Sequence, residues 1–322
     1  MHTKFSDPQK AGIFTVVVLV LAVAAAAAIE AFGLGSNFFA WASLWSITPV
    51  LATVIMLLVV TRDGYSKEGW RTLGLHRLGL RLWWIAFFGT LAITVVAYVA
   101  LWLTPLASVM VPPQGVLRVV GSFLLQVPIL ATTFLLCEEI GFRGYLLPKL
   151  LPMGRKRALL LSGLVFATWH LPLAFLTPLL PVGNPVIGLP LFYAAVVAGS
   201  FFYGYLRLAS GSIWPASIAH ATHNSVSGMI TGFVLTSSPL LVNGYLVGEF
   251  GIVITARRSH RRSAGQPPGP AQRRPRCRHS CTRTPSRKPD LYHATSRSSV
   301  TPGWTAAMRR RAPQHAFRVV AA

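Results

Sequence analysis

Long apolar stretches, separated by short polar connections, run along residues 1–256 of this 322-residue chain. A helix needs about 20 apolar residues to cross a bilayer core about 30 Å thick. The stretches that meet this length lie at about residues 12–33, 38–60, 82–104, 121–148, 157–180, 186–206, 212–236 and 238–256. They lack the alternation of polar and apolar positions that membrane barrels show. Because only helices and closed barrels satisfy the backbone in lipid, the pattern predicts an all-α, polytopic membrane helix bundle of about eight transmembrane helices.

The hydrophobic pattern stops abruptly near residue 256. Residues 257–322 hold 16 Lys or Arg and one Asp, and they are rich in Arg, Pro and Ser. Such a segment has too little apolar surface to fold alone. We therefore expect a membrane domain over residues 1–256 and a disordered Arg/Pro-rich tail over residues 257–322. The tail is either a product of out-of-frame translation or a basic arm. A basic arm would bind the anionic lipid of the cytoplasmic leaflet. No specific nucleic acid is expected as a partner.

Basic residues concentrate in alternate connections between the apolar stretches. The connections with odd numbers are nearly free of them, apart from Arg118. Since positive charge marks the cytoplasmic side, this alternation predicts a multi-pass protein of the cell membrane with both termini in the cytoplasm. The residues concerned are Lys4 and Lys10 before the first span, Arg62, Lys67, Arg71, Arg77 and Arg81 in the second connection, Lys149, Arg155, Lys156 and Arg157 in the fourth, and Arg207 in the sixth.

Three of the apolar stretches carry ionisable groups at similar depths. Glu138 lies 11 residues before Lys149 in the fourth stretch, which at the rise of a helix is roughly 17 Å from the basic end. His170 and His220, in the fifth and seventh, each lie 13 residues from the nearest basic connection, or roughly 20 Å. Ionisable groups in a membrane are costly unless they face a partner or a cavity. We therefore expect these groups to share one site.

Helical spacing suggests partners within this site. Glu139 and Arg143 are four residues apart and share a helix face, so they are expected to form an ion pair that supports the site. Glu138 is rotated about 100° away and is free to act on a substrate. His220 and Asn224 also share a face. Phe166 and Trp169, near His170, are expected to be packing residues.

These side chains together suit the hydrolysis of a peptide bond by activated water. A carboxylate can take a proton from water and pass it to the leaving amine. Imidazoles can bind a metal ion or stabilise an oxyanion, and an amide can donate hydrogen bonds. A zinc ion would be bound by His170, His220 and Glu138, but the same residues also suit a metal-free reaction with glutamate as the base.

The spacing of these residues resembles that of a known family. Glu138 to Arg143 is similar to the EExxxR motif, Phe166 to His170 to the FxxxH motif, and His220 to Asn224 to the HxxxN motif of the CAAX-processing and bacteriocin-processing (CPBP, or Abi) intramembrane proteases. The similarity covers about residues 120–235. It implies an endopeptidase, described in the family as a metalloprotease or as a metal-free enzyme, that acts on a hydrophobic or prenylated peptide at the membrane.

The resemblance also implies a role for each matched residue. Glu138 is expected to activate water, His170, His220 and Asn224 to complete the catalytic site, and Glu139 and Arg143 to support it. Two other functions stay open at this point. Glutamate and histidine in a membrane also occur in proton-coupled transporters, although no internal symmetry is visible here. A bacteriocin-immunity or scaffold protein without catalytic activity could use the same helices to bind a partner.

Overall fold

The computed structural model describes residues 5–180, 184–237 and 242, all of which lie in one compact unit. Within these residues the regular secondary structure is helical apart from one pair of two-residue strands. The predicted eighth span, apart from Val242, and the tail lie outside the described residues. The helices are α1 (Asp7–Ala31), α2 (Phe38–Ile55), α3 (Lys67–Arg71), α4 (Thr90–Trp102), α5 (Val116–Thr132), α6 (Phe134–Glu139), α7 (Leu147–Leu150), α8 (Arg155–Trp169), α9 (Leu171–Leu176), α10 (Pro185–Ser210) and α11 (Trp214–Thr231).

Three turns of π-helix extend the main helices. Met56–Val60 continues α2, Ile85–Gly89 precedes α4, and Ile140–Leu146 joins α6 to α7. The strands β1 (Ser108–Val109) and β2 (Val234–Leu235) pair antiparallel and join the connection after α4 to the end of α11.

Six helical segments of the described chain are long and apolar enough to cross a membrane, and they correspond to the first six predicted spans. The structure is therefore an all-α membrane helix bundle, as the hydropathy pattern predicts. The segments are Asp7–Ala31, Phe38–Val60, Leu80–Trp102, Val116–Met153, Arg155–Leu176 and Pro185–Ser210.

The predicted seventh span forms α11, an 18-residue helix that is less apolar than the other six. Its composition follows from its place in the bundle. It packs against α4, α5, α6 and α10, and most of its residues are buried by protein. Because its side chains meet other side chains rather than lipid, α11 can carry His220, Asn224 and several Ser and Thr residues.

The fourth span is interrupted just before the two glutamates. Pro128 lies inside α5 without ending it, and the break falls at Thr133, whose φ of −122° and ψ of −105° are not helical. The hydroxyls of Thr132 and Thr133 donate to the carbonyl of Ile129 at 3.2 and 2.7 Å. Such bonds satisfy carbonyls that a broken helix leaves free. The helix restarts at Phe134, so the break sets the direction in which Glu138 and Glu139 project.

Candidate active site

Glu138 lies at the end of α6 and is fully buried. Its Oε1 accepts a hydrogen bond of 3.0 Å from Ser46 Oγ on α2. Its Oε2 has no hydrogen-bond partner among the described residues. A buried carboxylate oxygen without a partner is costly, and such atoms occur where a water molecule or a ligand completes the site. Ser46 thus fixes one oxygen of Glu138 and leaves the other one available.

Glu139 forms a buried network with Arg143 and His220. Its Oε1 accepts from Arg143 Nη1 at 2.8 Å and lies 3.0 Å from His220 Nδ1. Both Glu139 and Arg143 are fully buried. The expected pairing of these two residues is present, and His220 on α11 joins it. Buried charges are tolerated only when they are paired in this way.

Arg143 contacts residues of α8 and α10 as well as Glu139. Besides Glu139, its guanidinium donates to Ser200 Oγ on α10 at 3.0 Å. The guanidinium carbon lies 4.5 Å from the centre of the Phe166 ring and 5.2 Å from that of Tyr203. These are cation–π distances, and such contacts are stronger where water is excluded. Arg143 therefore ties the fourth span to α8 and α10.

His220 lies between the carboxylate of Glu139 and two aromatic rings. The Tyr203 ring stacks on it at 5.0 Å, with 24° between the planes, and Phe166 meets it edge-on at 5.7 Å. Since the carboxylate of Glu139 accepts a hydrogen bond, Nδ1 of His220 carries the proton. In the neutral imidazole, Nε2 then has a free lone pair.

His170 follows the last residue of α8 and is 3% exposed. Its Nδ1 lies 2.9 Å from the carbonyl of Phe166, which can only accept, so Nδ1 again carries the proton. The rings of Trp169 and Phe166 lie 4.7 and 4.8 Å from the imidazole. The Phe166 ring thus contacts both histidines. This explains the FxxxH spacing, because the phenylalanine four residues earlier fixes the histidine through both its carbonyl and its ring.

Asn224 lies one turn beyond His220 on α11 and is 2% exposed. It lines a cavity of about 260 Å³ between α5 and α11. This cavity extends toward Arg118, at the end of the fourth span opposite to Lys149. The structure thus joins Glu139 to Arg143 and His220, and the Phe166 ring contacts both histidines, while Asn224 lies at the edge of a cavity.

Three contacts of the site were not predicted from the sequence. Ser46, Ser200 and Tyr203 lie in the second and sixth spans, where they contact Glu138, Arg143 and His220. Ser200 and Tyr203 are three residues apart on one helix face, so a search for polar groups at helical spacing within each span could have found them. Nothing in the local sequence distinguishes Ser46 from other serines in membrane helices.

A metal centre with three protein ligands needs three suitable side chains grouped around one point. Both histidines are fixed through Nδ1, as ligands in metal sites commonly are. However, no three His, Cys, Asp or Glu side chains among residues 5–180 and 184–237 are grouped so that they could hold one ion. The zinc site expected at His170, His220 and Glu138 stays a prediction.

Comparison with known proteins gives one match. Residues 120–226 match the model of the family described as type II CAAX prenyl endopeptidase Rce1-like. No curated protein and no solved structure matches the chain. The matched segment spans all three motifs, and it supports an intramembrane endopeptidase in general. Residues 120–226 are thus similar to Rce1-like CAAX prenyl endopeptidases, in agreement with the family that the three motifs resemble.

Proposed function

We propose that this protein hydrolyses a peptide bond in a hydrophobic, membrane-associated peptide, with Glu138 as the base that activates water. The observation that carries this proposal is the difference in hydrogen bonding between the two carboxylate oxygens of Glu138. One oxygen of its buried carboxylate is fixed by Ser46, and the other has no partner among the described residues. That free oxygen is where a water molecule can bind and give up a proton.

The reaction takes two proton transfers. Glu138 Oε2 accepts a proton from water while the water oxygen attacks the carbonyl carbon of the peptide. The carbonyl becomes an oxyanion on a tetrahedral carbon. Glu138 then passes the proton to the leaving nitrogen as the carbon–nitrogen bond breaks, which restores the carboxylate. No covalent enzyme intermediate forms, so no serine or cysteine nucleophile is needed.

The histidines and the asparagine serve this reaction in different ways. Because Nδ1 of His170 and of His220 is engaged as a donor, each neutral ring offers Nε2 as an acceptor. An acceptor can hold the second hydrogen of the water and so fix its orientation. The amide of Asn224 supplies a donor, which can stabilise the oxyanion. Glu139 and Arg143 act indirectly by fixing His220.

The substrate class follows from the surroundings of the site. The catalytic groups lie within apolar helices, and the outer faces of these helices expose many large hydrophobic side chains, as expected for contact with lipid. A peptide reaches such a site most readily if it is itself apolar or carries a lipid anchor. We therefore propose a prenylated or hydrophobic peptide, held at the membrane, as the substrate.

Replacing Glu138 by glutamine tests this proposal. Glu138→Gln keeps the shape of the side chain and an oxygen for Ser46 but removes the base. We expect cleavage of a farnesylated peptide by the purified protein in vesicles to fall by about 10²- to 10⁴-fold, the usual contribution of a general base. Thermal unfolding in detergent should change little.

Glu30 provides a matched control, since it is an exposed glutamate in the first span. Glu30→Gln should cleave the peptide at the rate of the unchanged protein. If Glu138→Gln kept full activity, Glu138 would not be the base. If the unchanged protein released no peptide but moved protons across the vesicle membrane, the transporter function would be favoured instead.

A further inference from the structure

The cavity beside Asn224 has an unusual lining for a space between two membrane helices. Most of its polar residues are on α5 or directly before it, and they recur at every fourth position. The polar residues are Gln114, Arg118, Ser122, Gln126, Asn224 and Ser225. Side chains four residues apart lie on one helix face, so α5 presents a polar stripe to α11. Polar groups in membrane helices are costly unless they have partners or function.

Two groups of this cavity lack hydrogen-bond or ion-pair partners among the described residues. Ser225 is 2% exposed, and its hydroxyl has no hydrogen-bond partner among the described residues. Arg118 forms none of the ion pairs found in the described chain. It lies in the first turn of α5, where the helix dipole disfavours a cation. Arg118 is exposed at this end of α5, so an anion placed there would meet both the guanidinium and the helix terminus.

The size of the cavity limits what it can hold. Its volume of about 260 Å³ lies just below the usual range for small-molecule pockets, which is about 300–1,000 Å³. From Arg118 to Gln126 the helix rises by about 12 Å, which equals three or four residues of extended peptide. The cavity therefore suits a short peptide end rather than a whole prenylated segment.

We propose that this cavity binds the C-terminal end of the peptide substrate and that Arg118 pairs with its free carboxylate. The inference rests on the proposed peptidase function. Asn224 lines the cavity and lies one helical turn after His220 on α11, so a scissile bond near Asn224 would let the leaving peptide extend along α5. An arginine fits a carboxylate through two parallel hydrogen bonds, which makes Arg118 a residue that determines specificity for substrates cut close to their C-terminus.

Two forms of one substrate test this role. The probe is a peptide with a farnesylated cysteine followed by three apolar residues, made either with a free carboxylate or with a C-terminal amide. We expect the unchanged protein to cleave the acid with a KM about 10-fold or more below that of the amide, as charge-assisted hydrogen bonds usually give. Arg118→Gln should raise KM for the acid to that for the amide and leave kcat within about twofold.

Two further variants serve as comparisons. Arg118→Lys keeps the charge but loses the paired hydrogen bonds, so it should show an intermediate preference for the acid. Arg81→Gln removes an exposed arginine in the second connection and should keep the full preference. The proposal is overturned if Arg118→Gln discriminates acid from amide as well as the unchanged protein does.

A binding measurement separates this proposal from the peptidase function. Glu138→Gln protein in phosphatidylcholine vesicles is titrated with fluorescently labelled acid and amide peptides, with and without Arg118→Gln. Tighter binding of the acid that disappears with Arg118→Gln supports the cavity proposal even if no cleavage occurs. Equal binding of acid and amide overturns it, even if the peptidase function proves correct.

Discussion

At the scale of single residues, Glu139 holds the site together. One of its oxygens meets both Arg143, in its own span, and His220, on α11. Neither Glu139 nor Arg143 is exposed, so each compensates the charge of the other. A buried pair of this kind is costly to break on one side but much less costly to replace as a whole. Stability and function therefore depend on Glu139 in different ways.

Substitutions of Arg143 and Glu139 separate the contribution of this ion pair to stability from its contribution to cleavage. Arg143→Met leaves the charge of Glu139 uncompensated and should lower stability by roughly 3–5 kcal/mol. Combining it with Glu139→Gln should recover much of this loss, measured by unfolding in detergent. Cleavage should stay low in the double variant, because His220 loses its charged acceptor. A double variant as active as the unchanged protein would show that the pair serves stability alone.

At the scale of elements, the second and fourth spans approach each other closely at one point. Gly141 follows the glutamates and lies directly against Pro49, so that a methyl group at position 141 would overlap the proline ring. Three residues earlier on each helix, Ser46 meets Glu138. Residue numbers rise together along both spans, from the Ser46–Glu138 contact to the Pro49–Gly141 contact. The two spans therefore run in the same direction, as expected of two even-numbered spans. The glycine thus allows the approach by which Ser46 reaches the catalytic carboxylate.

Gly141→Ala tests this close approach. The added methyl group pushes the helices apart, and overpacking of this kind costs about 1–3 kcal/mol. Because Ser46 moves away from Glu138, we also expect weaker cleavage. Gly121→Ala on α5 is the matched control, since nothing lies within 4 Å of the position of its added methyl group. Equal thermal unfolding and cleavage for the two variants would contradict the role of Gly141.

At the scale of the whole molecule, ion pairs gather the predicted cytoplasmic connections at one end. Lys10 binds Asp63 of the second connection at 2.8 Å. Lys149, at the start of the fourth connection, binds Asp7 at 3.1 Å. These contacts agree with the alternation of basic connections, which requires the N-terminus and the even-numbered connections to share one side. Which side of the membrane that is stays a prediction of the positive-inside rule.

Labelling of single cysteines tests the orientation. The chain is first freed of Cys137, Cys277 and Cys281 by replacement with serine, and cysteine is then introduced at an exposed position. A membrane-impermeant maleimide applied to intact cells should label Leu117→Cys, near Arg118, but not Glu68→Cys in the second connection. After permeabilisation both should react. The reverse pattern before permeabilisation would place the termini outside the cytoplasm.

Much of the fold was accessible from the sequence, because the length of an apolar stretch and the spacing along a helix are local properties. The first six spans and the pairing of Glu139 with Arg143 follow from them. The similar depth of the two histidines stays a prediction. The predicted seventh span also forms a helix, although it is less apolar than the others. The number of eight spans is not confirmed, since the last one lies outside the described residues.

The sequence by itself determined which side chains lie in the long apolar helices, and it predicts their depth in the membrane. The tertiary structure decided which of them meet. Ser46 with Glu138, His220 with Glu139 and Tyr203 with His220 are contacts between spans, and they depend on how each helix is rotated about its axis. In a soluble helix the polar face reveals that rotation. In a membrane helix, lipid and protein neighbours are both apolar, so the sequence leaves the rotation undetermined and packing must fix it.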